Sequence, residues 1–255
     1  MYMSVVNSAP ETELLRELAG TRVLITGLTA NQGVDLARAF ADIKARLVVQ
    51  TNDLGSEVTE LIALLSQSAA EIKLYTDPLS SRDGALRFAQ TAAQAYGGLD
   101  AVINLSSISR AEAAGVSSQR DVEDLIASKL SPLTELTRVA ANRMRVVLTE
   151  GMILNVLTMP APENGREAAV AGLARTALAA MTRGEAKSWA DQAVRINAIG
   201  PRTSTSQGSG TSHGTGACLS NEPDIAALAL YLASRRGKTL SGHVFDSEGA
   251  ASRRC

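Results

Sequence analysis

Short apolar runs alternate with segments of helical periodicity along almost the whole chain of 255 residues, and this alternation most constrains its fold. Buried parallel strands are brief aliphatic runs, whereas the helices between them repeat apolar residues every three or four positions. The pattern therefore predicts an α/β fold with one doubly wound parallel sheet and helices on both faces. The predicted strands are 21–26, 46–49, 72–75, 101–105, 152–157, 194–199 and 243–245, and the predicted helices are 34–40, 82–96, 122–133, 166–189 and 223–233.

Length and composition narrow the class of protein. We predict a single domain over 1–255, with residues 1–20 as an N-terminal extension. A formal net charge of −1 favours neither nucleic acid nor an anionic membrane as a partner. The sequence has two cysteines, no signal-peptide pattern at its start and no apolar run of about 18 residues. We therefore expect a soluble cytoplasmic protein without a membrane span.

One segment departs from this composition. Residues 203–216 (TSTSQGSGTSHGTG) are almost entirely Thr, Ser and Gly, and such a segment buries too little apolar surface to offset its ordering entropy. We predict a mobile loop here, within a candidate substrate-loop region spanning 203–221. His213 and Cys218 lie in this region but lack partners at metal-ligand spacing, so no metal site is predicted.

A glycine-rich turn follows the first predicted strand. Gly27 and Gly33 stand between that strand and the next helix, where glycines let backbone N–H groups approach a pyrophosphate at the helix N-terminus. A gapped glycine pair also fits an ordinary strand-to-helix turn. By itself the pair leaves both interpretations open.

Four segments together resemble the short-chain dehydrogenase/reductase family, in its ketoacyl-reductase-like branch. They occur in the family's order from about residue 20 to 249. The resemblance implies a Rossmann-type fold, NAD or NADP as cofactor, and a dimer or tetramer paired through the helices around 125–136 and 166–189. The segments are TGLTANQG at 26–33, like TGxxxGxG; LDAVINLSS at 99–107, like LDxLVNNAG; VRINAIGP at 194–201, like IRVNAVxPG; and DIA at 224–226 with LAS at 232–234 and SG at 241–242, like the C-terminal pattern.

The family's catalytic residues are a Ser, a Tyr and a Lys, with an Asn on the preceding helix. Reading back from Asn197 without a gap puts the Tyr position on Ala171 and the Lys position on Arg175, while the Ser and Asn positions fall on Thr158 and Lys129. The resemblance thus implies a degenerate centre.

These replacements have unequal consequences. Thr158 keeps a hydroxyl, and Arg175 keeps a charge but cannot donate a proton at neutral pH. Ala171 removes the general acid/base, a group worth about 10²–10⁴ in rate. Lys129 could donate a proton if burial lowered its pKa. A solvated helical lysine is the alternative interpretation of that residue.

The resemblance also implies a partial dinucleotide site. Thr51 and Asn52 stand where the family selects NAD or NADP, and Ser107 and Arg202 replace two family glycines, so neither cofactor is specified and binding stays open. The positions that match the family's cofactor-binding residues are Gly27, Asn31, Gly33, Asp77 and Asn104.

Three hypotheses follow. The chain is a catalytically silent subunit that assembles with an active short-chain dehydrogenase/reductase partner, as the missing Tyr and Lys suggest. Alternatively, it is an NAD(P)-dependent oxidoreductase in which Lys129, Thr158 and Arg175 polarise a carbonyl. In the third hypothesis it is a small-molecule sensor or scaffold with the segment 203–216 as a lid.

Overall fold

The computed structural model describes residues 9–79, 82–203 and 222–247, which form seven strands and eight α-helices with three short 3₁₀ turns. In chain order the elements are α1 (Ala9–Leu18), β1 (Arg22–Thr26), α2 (Val34–Asp42), β2 (Arg46–Gln50), α3 (Ser56–Ser68), β3 (Glu71–Tyr75), α4 (Arg82–Ala92), β4 (Ala101–Ser107), α5 (Arg110–Gly115), α6 (Gln119–Val146), β5 (Gly151–Thr158), α7 (Gly165–Trp189), β6 (Val194–Pro201), α8 (Glu222–Ala233) and β7 (Val244–Ser247).

All seven described strands pair in parallel, in the order β3-β2-β1-β4-β5-β6-β7. The predicted doubly wound parallel sheet is thereby confirmed. Strands β1 to β3 follow one another toward one edge of the sheet, and strands β4 to β7 follow one another toward the other edge. The strand order therefore reverses between the neighbours β1 and β4. A crevice at the carboxyl ends of the strands is expected at such a switch point.

Helices cover both faces of the sheet because successive residues of each buried strand point to opposite sides. On β1, Val23 and Ile25 join a buried cluster with α2, α3 and α8, whereas Leu24 joins a cluster with α4 and α6. A third buried cluster, which includes Ile108, lies between α5, α6, α7 and the carboxyl ends of β5 and β6. This third cluster adjoins the predicted catalytic positions.

The helices differ from their predicted extents in places. The helices α1, α3 and α5 were not predicted from the sequence. The predicted helix 82–96 is wrong at its end, because α4 stops at Ala92 and Tyr96 in the following 3₁₀ turn takes a left-handed φ of 55°. An α-helix cannot continue through that conformation.

The predicted mobile loop at 203–216 lies, apart from Thr203, outside the described residues. Within the described ranges, no helix combines the length and the apolar character needed to cross a membrane.

Candidate active site

Part of the predicted site, the turn 27–33 and Thr158, lies at the carboxyl ends of β1, β4 and β5. The turn 27–33 follows β1, and Thr158 at the end of β5 stands in register with Ser107 at the end of β4. Gln32 joins these strand ends, because its Nε2 donates to Ser106 O at 3.1 Å and to Thr158 Oγ1 at 3.2 Å. The turn and the predicted catalytic hydroxyl therefore belong to one hydrogen-bonded unit.

The two glycines of the turn are required by their backbone and their surroundings. Gly27 has a φ of 74° and Gly33 a φ of 86°, a region that L side chains rarely adopt. A Cβ on Gly27 would stand 2.3 Å from the carbonyl oxygen of Leu105, and one on Gly33 would stand 2.4 Å from Leu105 Cδ1. The turn thus packs directly on β4.

Every backbone amide from Gly27 to Gly33 donates to an acceptor of the chain itself. Three of these acceptors lie within the turn, and the others come from β2, the loop after it and α8. In chain order they are Gln50 Oε1 for Gly27, Gln50 O for Leu28, Gln32 O for Thr29, Asp53 Oδ2 for Ala30, Thr29 Oγ1 for Asn31, Thr29 O for Gln32 and Glu222 Oε1 for Gly33.

Glu222, the first residue of α8, lies at the N-terminus of α2. Helix N-termini favour negative charge because their first amides point outward without intrahelical partners. Burial raises the pKa of the Glu222 carboxyl, and Asp35 nearby acts in the same direction, while the backbone amides of Gly33, Val34 and Asp35 act against it. The net direction is upward.

Gln50 at the end of β2 is fully buried and anchors the base of the turn. Its Nε2 donates to Asn52 Oδ1 and to Asp77 O, both at 2.8 Å, while its Oε1 accepts from Gly27. Thr51, near which the resemblance implies an acid for the ribose, is also buried and donates through Oγ1 to Leu28 O at 2.6 Å. The end of β2 is therefore hydrogen-bonded to the turn.

The other predicted cofactor residues occupy different environments. Asn31 is exposed and does not have a positive φ. The Asp77 side chain is exposed, and its carbonyl accepts from Gln50. Asn104 is fully buried, where its Oδ1 accepts from Thr26 Oγ1 at 3.1 Å and its Nδ2 donates to Asn155 Oδ1 at 2.8 Å. Asn104 thus belongs to a polar network inside the sheet.

The predicted catalytic positions lie next to the third buried cluster. Thr158 is half-buried and accepts from Gln32, as described above. Ala171 on α7 is fully buried. The other buried members of its cluster are the apolar residues Ile108, Ala113, Val116, Leu130, Leu133, Leu157, Met159, Val170, Ala174, Leu178 and Ala198.

The two cationic positions are each paired with a carboxylate. Lys129 Nζ donates to Glu112 Oε1 on α5 at 2.7 Å, and Arg175 NH1 lies 2.5 Å from Asp246 Oδ1 on β7. Burial alone would raise the pKa of Glu112, but hydrogen bonds from Lys129 and Ser109 outweigh it and hold the pKa below its ordinary value. The predicted proton-donating Lys129 is therefore part of an ion pair.

Sequence reasoning missed four residues of this site, Gln32, Gln50, Asp53 and Glu222. Gln32 lies inside the glycine fingerprint and Gln50 directly follows the predicted strand 46–49, so their positions offered a signal. Glu222 is 189 positions from Gly33 in the chain, and nothing local in the sequence indicates that contact. The described residues hold no group of three or more His, Cys, Asp or Glu side chains arranged to bind a metal.

Comparisons with known proteins agree with this architecture. The chain is 27% identical over 254 residues to 3beta-hydroxysteroid dehydrogenase 2 of Eggerthella lenta, covering 91% of this chain and 95% of that protein. It is 25% identical over 195 residues to glucose 1-dehydrogenase 2 of Bacillus subtilis, with 74% of each covered. A putative short-chain alcohol dehydrogenase structure from Sinorhizobium meliloti shares the fold, with a TM-score of 0.71, 22% identity, and 91% and 96% of the two chains covered.

The family model described as short chain dehydrogenase matches residues 21–212, which is most of the chain. That range contains the glycine turn, β1 to β6 and all the predicted catalytic positions. The chain therefore belongs to the short-chain dehydrogenase family of oxidoreductases, whose members generally bind NAD or NADP.

Proposed function

We propose that this chain is a non-catalytic subunit that assembles with an active short-chain dehydrogenase/reductase. The environment of Ala171 carries the proposal. Its methyl group is fully buried in a cluster of apolar side chains, and by resemblance this residue stands at the family's tyrosine position. No proton donor stands at that position, and general acid/base catalysis contributes about 10²–10⁴ to the rate of a reaction that needs it.

The two cations near this position support the same proposal. Lys129 is bound to Glu112 and Arg175 is bound to Asp246, so each positive charge is matched by a carboxylate of the chain. An arginine keeps its proton at neutral pH and cannot replace a general acid. Thr158 keeps a hydroxyl that could orient a substrate oxygen, but orientation alone does not transfer a proton.

A surface for a partner subunit is available on α7. By resemblance, family members pair through the helices that correspond to α6 and α7. Leu173 on α7 is 53% exposed, and nothing lies within 4 Å of a Cβ built on Gly172 beside it. The exposed leucine offers apolar surface, and the glycine beside it leaves room for side chains of a second helix. We propose that this face contacts the active subunit.

Copurification tests the proposal. The tagged chain, isolated from its native cells, should carry a second short-chain dehydrogenase/reductase with an intact YxxxK motif, identified by mass spectrometry. Leu173→Asp should reduce recovery of that partner. Leu64→Asp is the matched control, because Leu64 on α3 is also 53% exposed but lies on a different helix. Recovery of homo-oligomers alone would contradict the proposal.

A second candidate is an active oxidoreductase with altered catalytic residues. The retained Thr158 hydroxyl and its hydrogen bond from Gln32 favour this candidate, as do relatives of nearly full length that are named dehydrogenases. In this case the purified chain alone should reduce carbonyl substrates with NADH or NADPH, and Lys129→Ala should abolish turnover. A lack of activity in the isolated chain that is restored by adding the partner would favour the first proposal.

A further inference from the structure

The turn after β1 carries two glycines with positive φ and leads into the N-terminus of α2, as a phosphate-binding turn does, and its amides are bound by the chain itself. A dinucleotide binds such a turn because several backbone amides and a helix N-terminus are free to receive its pyrophosphate. Here all the amides from Gly27 to Gly33 already have acceptors in the chain. Two of those acceptors, on Asp53 and Glu222, are carboxylates.

We propose that Glu222 and Asp53 act as an internal substitute for a pyrophosphate, so that this chain keeps its dinucleotide-binding shape without taking up NAD or NADP. Glu222 supplies the anion at the N-terminus of α2, where its carboxylate accepts from Gly33. Asp53 supplies a second anion, at Ala30. Together they occupy the places that a dinucleotide would have to enter.

A ligand that displaces these carboxylates gains little binding free energy. A pyrophosphate that bound the turn would exchange existing charge-assisted hydrogen bonds for new ones of the same kind. The displaced carboxylates would remain close by and repel the incoming negative charge. Gln50 adds a further obstacle, because its buried side chain is held by Gly27, Asn52 and Asp77 and cannot move without breaking those bonds.

The packing around α8 explains how Glu222 reaches the turn. Ile225, Ala226 and Ala229 of α8 are buried in the same cluster as Leu36 and Phe40 of α2. The two helices are thereby held side by side, with the first residue of α8 at the N-terminus of α2. The contact with Gly33 therefore follows from a packed interface between two helices.

This inference does not depend on the proposed assembly. A non-catalytic subunit could retain a dinucleotide as a structural ligand, and an active chain would require one for hydride transfer. Binding of a nucleotide by a chain that still copurifies with a partner would overturn this inference alone. A chain that binds no nucleotide and has no partner would overturn the proposed function alone.

Calorimetric titration with ADP-ribose and with NADH tests whether the turn excludes nucleotides. We expect Glu222→Ala/Asp53→Ala to bind ADP-ribose at least about tenfold more tightly than the wild type. The matched control is Glu57→Ala/Asp83→Ala, which removes two carboxylates from the first turns of α3 and α4 and should match the wild type. Micromolar binding of NADH by the wild type, or no gain in the Glu222/Asp53 variant, would overturn the proposal.

A second measurement keeps the proposal testable if the double variant fails to fold. Labelling with carbonyl-¹³C glutamine and ¹⁵N glycine selects the amides of Gly33 and Gly208, the two glycines that follow a glutamine in the sequence. The Gly33 amide proton should shift as an acidic group titrates in the wild type, and this shift should be absent in Glu222→Gln. A Gly33 amide that does not respond to pH in the wild type would overturn the proposed contact.

Discussion

Replacing Gly27 with alanine should destabilise the protein by about 2–5 kcal/mol in the absence of any nucleotide. About 1–2 kcal/mol comes from placing an L residue at a φ of 74°. About 1–3 kcal/mol more comes from overpacking, because the new Cβ would stand 2.3 Å from the backbone carbonyl oxygen of Leu105. A backbone atom in the middle of the sheet cannot rotate away as a side chain can.

Gly20→Ala separates the two contributions. Gly20 has a φ of 77°, nearly that of Gly27, but nothing stands within 4 Å of the Cβ position. Its replacement should cost about 1–2 kcal/mol, the backbone contribution alone. The difference between the two variants therefore measures the contact with Leu105.

Urea unfolding followed by far-ultraviolet circular dichroism measures both variants at one protein concentration. A change in the midpoint at constant m-value reports a change in stability. A loss of about 3 kcal/mol would also lower the Tm by about 6–12 °C in a chain of this size. Equal losses in Gly27→Ala and Gly20→Ala would refute the reasoning, because the turn would then not lie against β4.

Three further predictions concern polar groups that are half-buried or buried. Folding raises the pKa of Glu222. The stability that this group contributes is therefore fully present below its unfolded pKa of about 4.3, and it is lost as pH rises through the folded pKa. Scanning calorimetry from about pH 4 to about pH 8 should therefore show the Tm of the wild type falling relative to Glu222→Gln. Asn155→Leu should cost about 1–3 kcal/mol in urea unfolding, because it leaves the buried Nδ2 of Asn104 without its acceptor. For Asp100, burial raises the pKa, but hydrogen bonds from Arg22 outweigh burial and lower the pKa overall. The stability that the ionised Asp100 contributes is therefore lost as pH falls through its folded-state pKa. Asp100→Asn and the wild type should therefore converge in stability in acid unfolding.

Each of these predictions has a control or a contradicting result. Glu57→Gln changes an exposed carboxylate in the first turn of α3, and its Tm difference from the wild type should not follow the pH dependence of Glu222→Gln. A loss from Asn155→Leu no larger than that of an exposed substitution would mean that water reaches the buried network. A stability difference between Asp100→Asn and wild type that persists unchanged in acid would contradict the role given to Arg22.

The fold was predictable because its signals are local and repeated. Each buried strand is a short apolar run, and the alternation of strands with helices predicts a parallel sheet. The order of the strands came from the structure. The helix α3 was missed although Val58, Leu61 and Leu65 recur at helical spacing and are buried. The end of α4 depended on the left-handed Tyr96, and no residue type at that point predicts such a conformation.

Some residues of the predicted site were located from the sequence, whereas the contacts of others were seen only in the structure. Gly27, Gly33 and Thr158 lie together at the carboxyl ends of the central strands, because each follows or ends such a strand. The sequence pattern located these strands. The partners of Lys129 and Arg175 could not be predicted, because ion pairs depend on which side chains neighbouring elements present. Both cations are in fact bound by carboxylates, Glu112 on α5 and Asp246 on β7.

By itself, the sequence determined the parallel sheet and the family, and its resemblance to that family implies the loss of the tyrosine, since these depend on residue types at fixed spacing. The tertiary structure alone decided what occupies the turn after β1. Glu222 reaches Gly33 across 189 positions because α8 packs on α2, and Asp53 reaches Ala30 because β2 lies beside β1. A hydrogen bond needs its atoms within about 3 Å, and only the packing of helices and strands brings residues so distant in sequence to that separation.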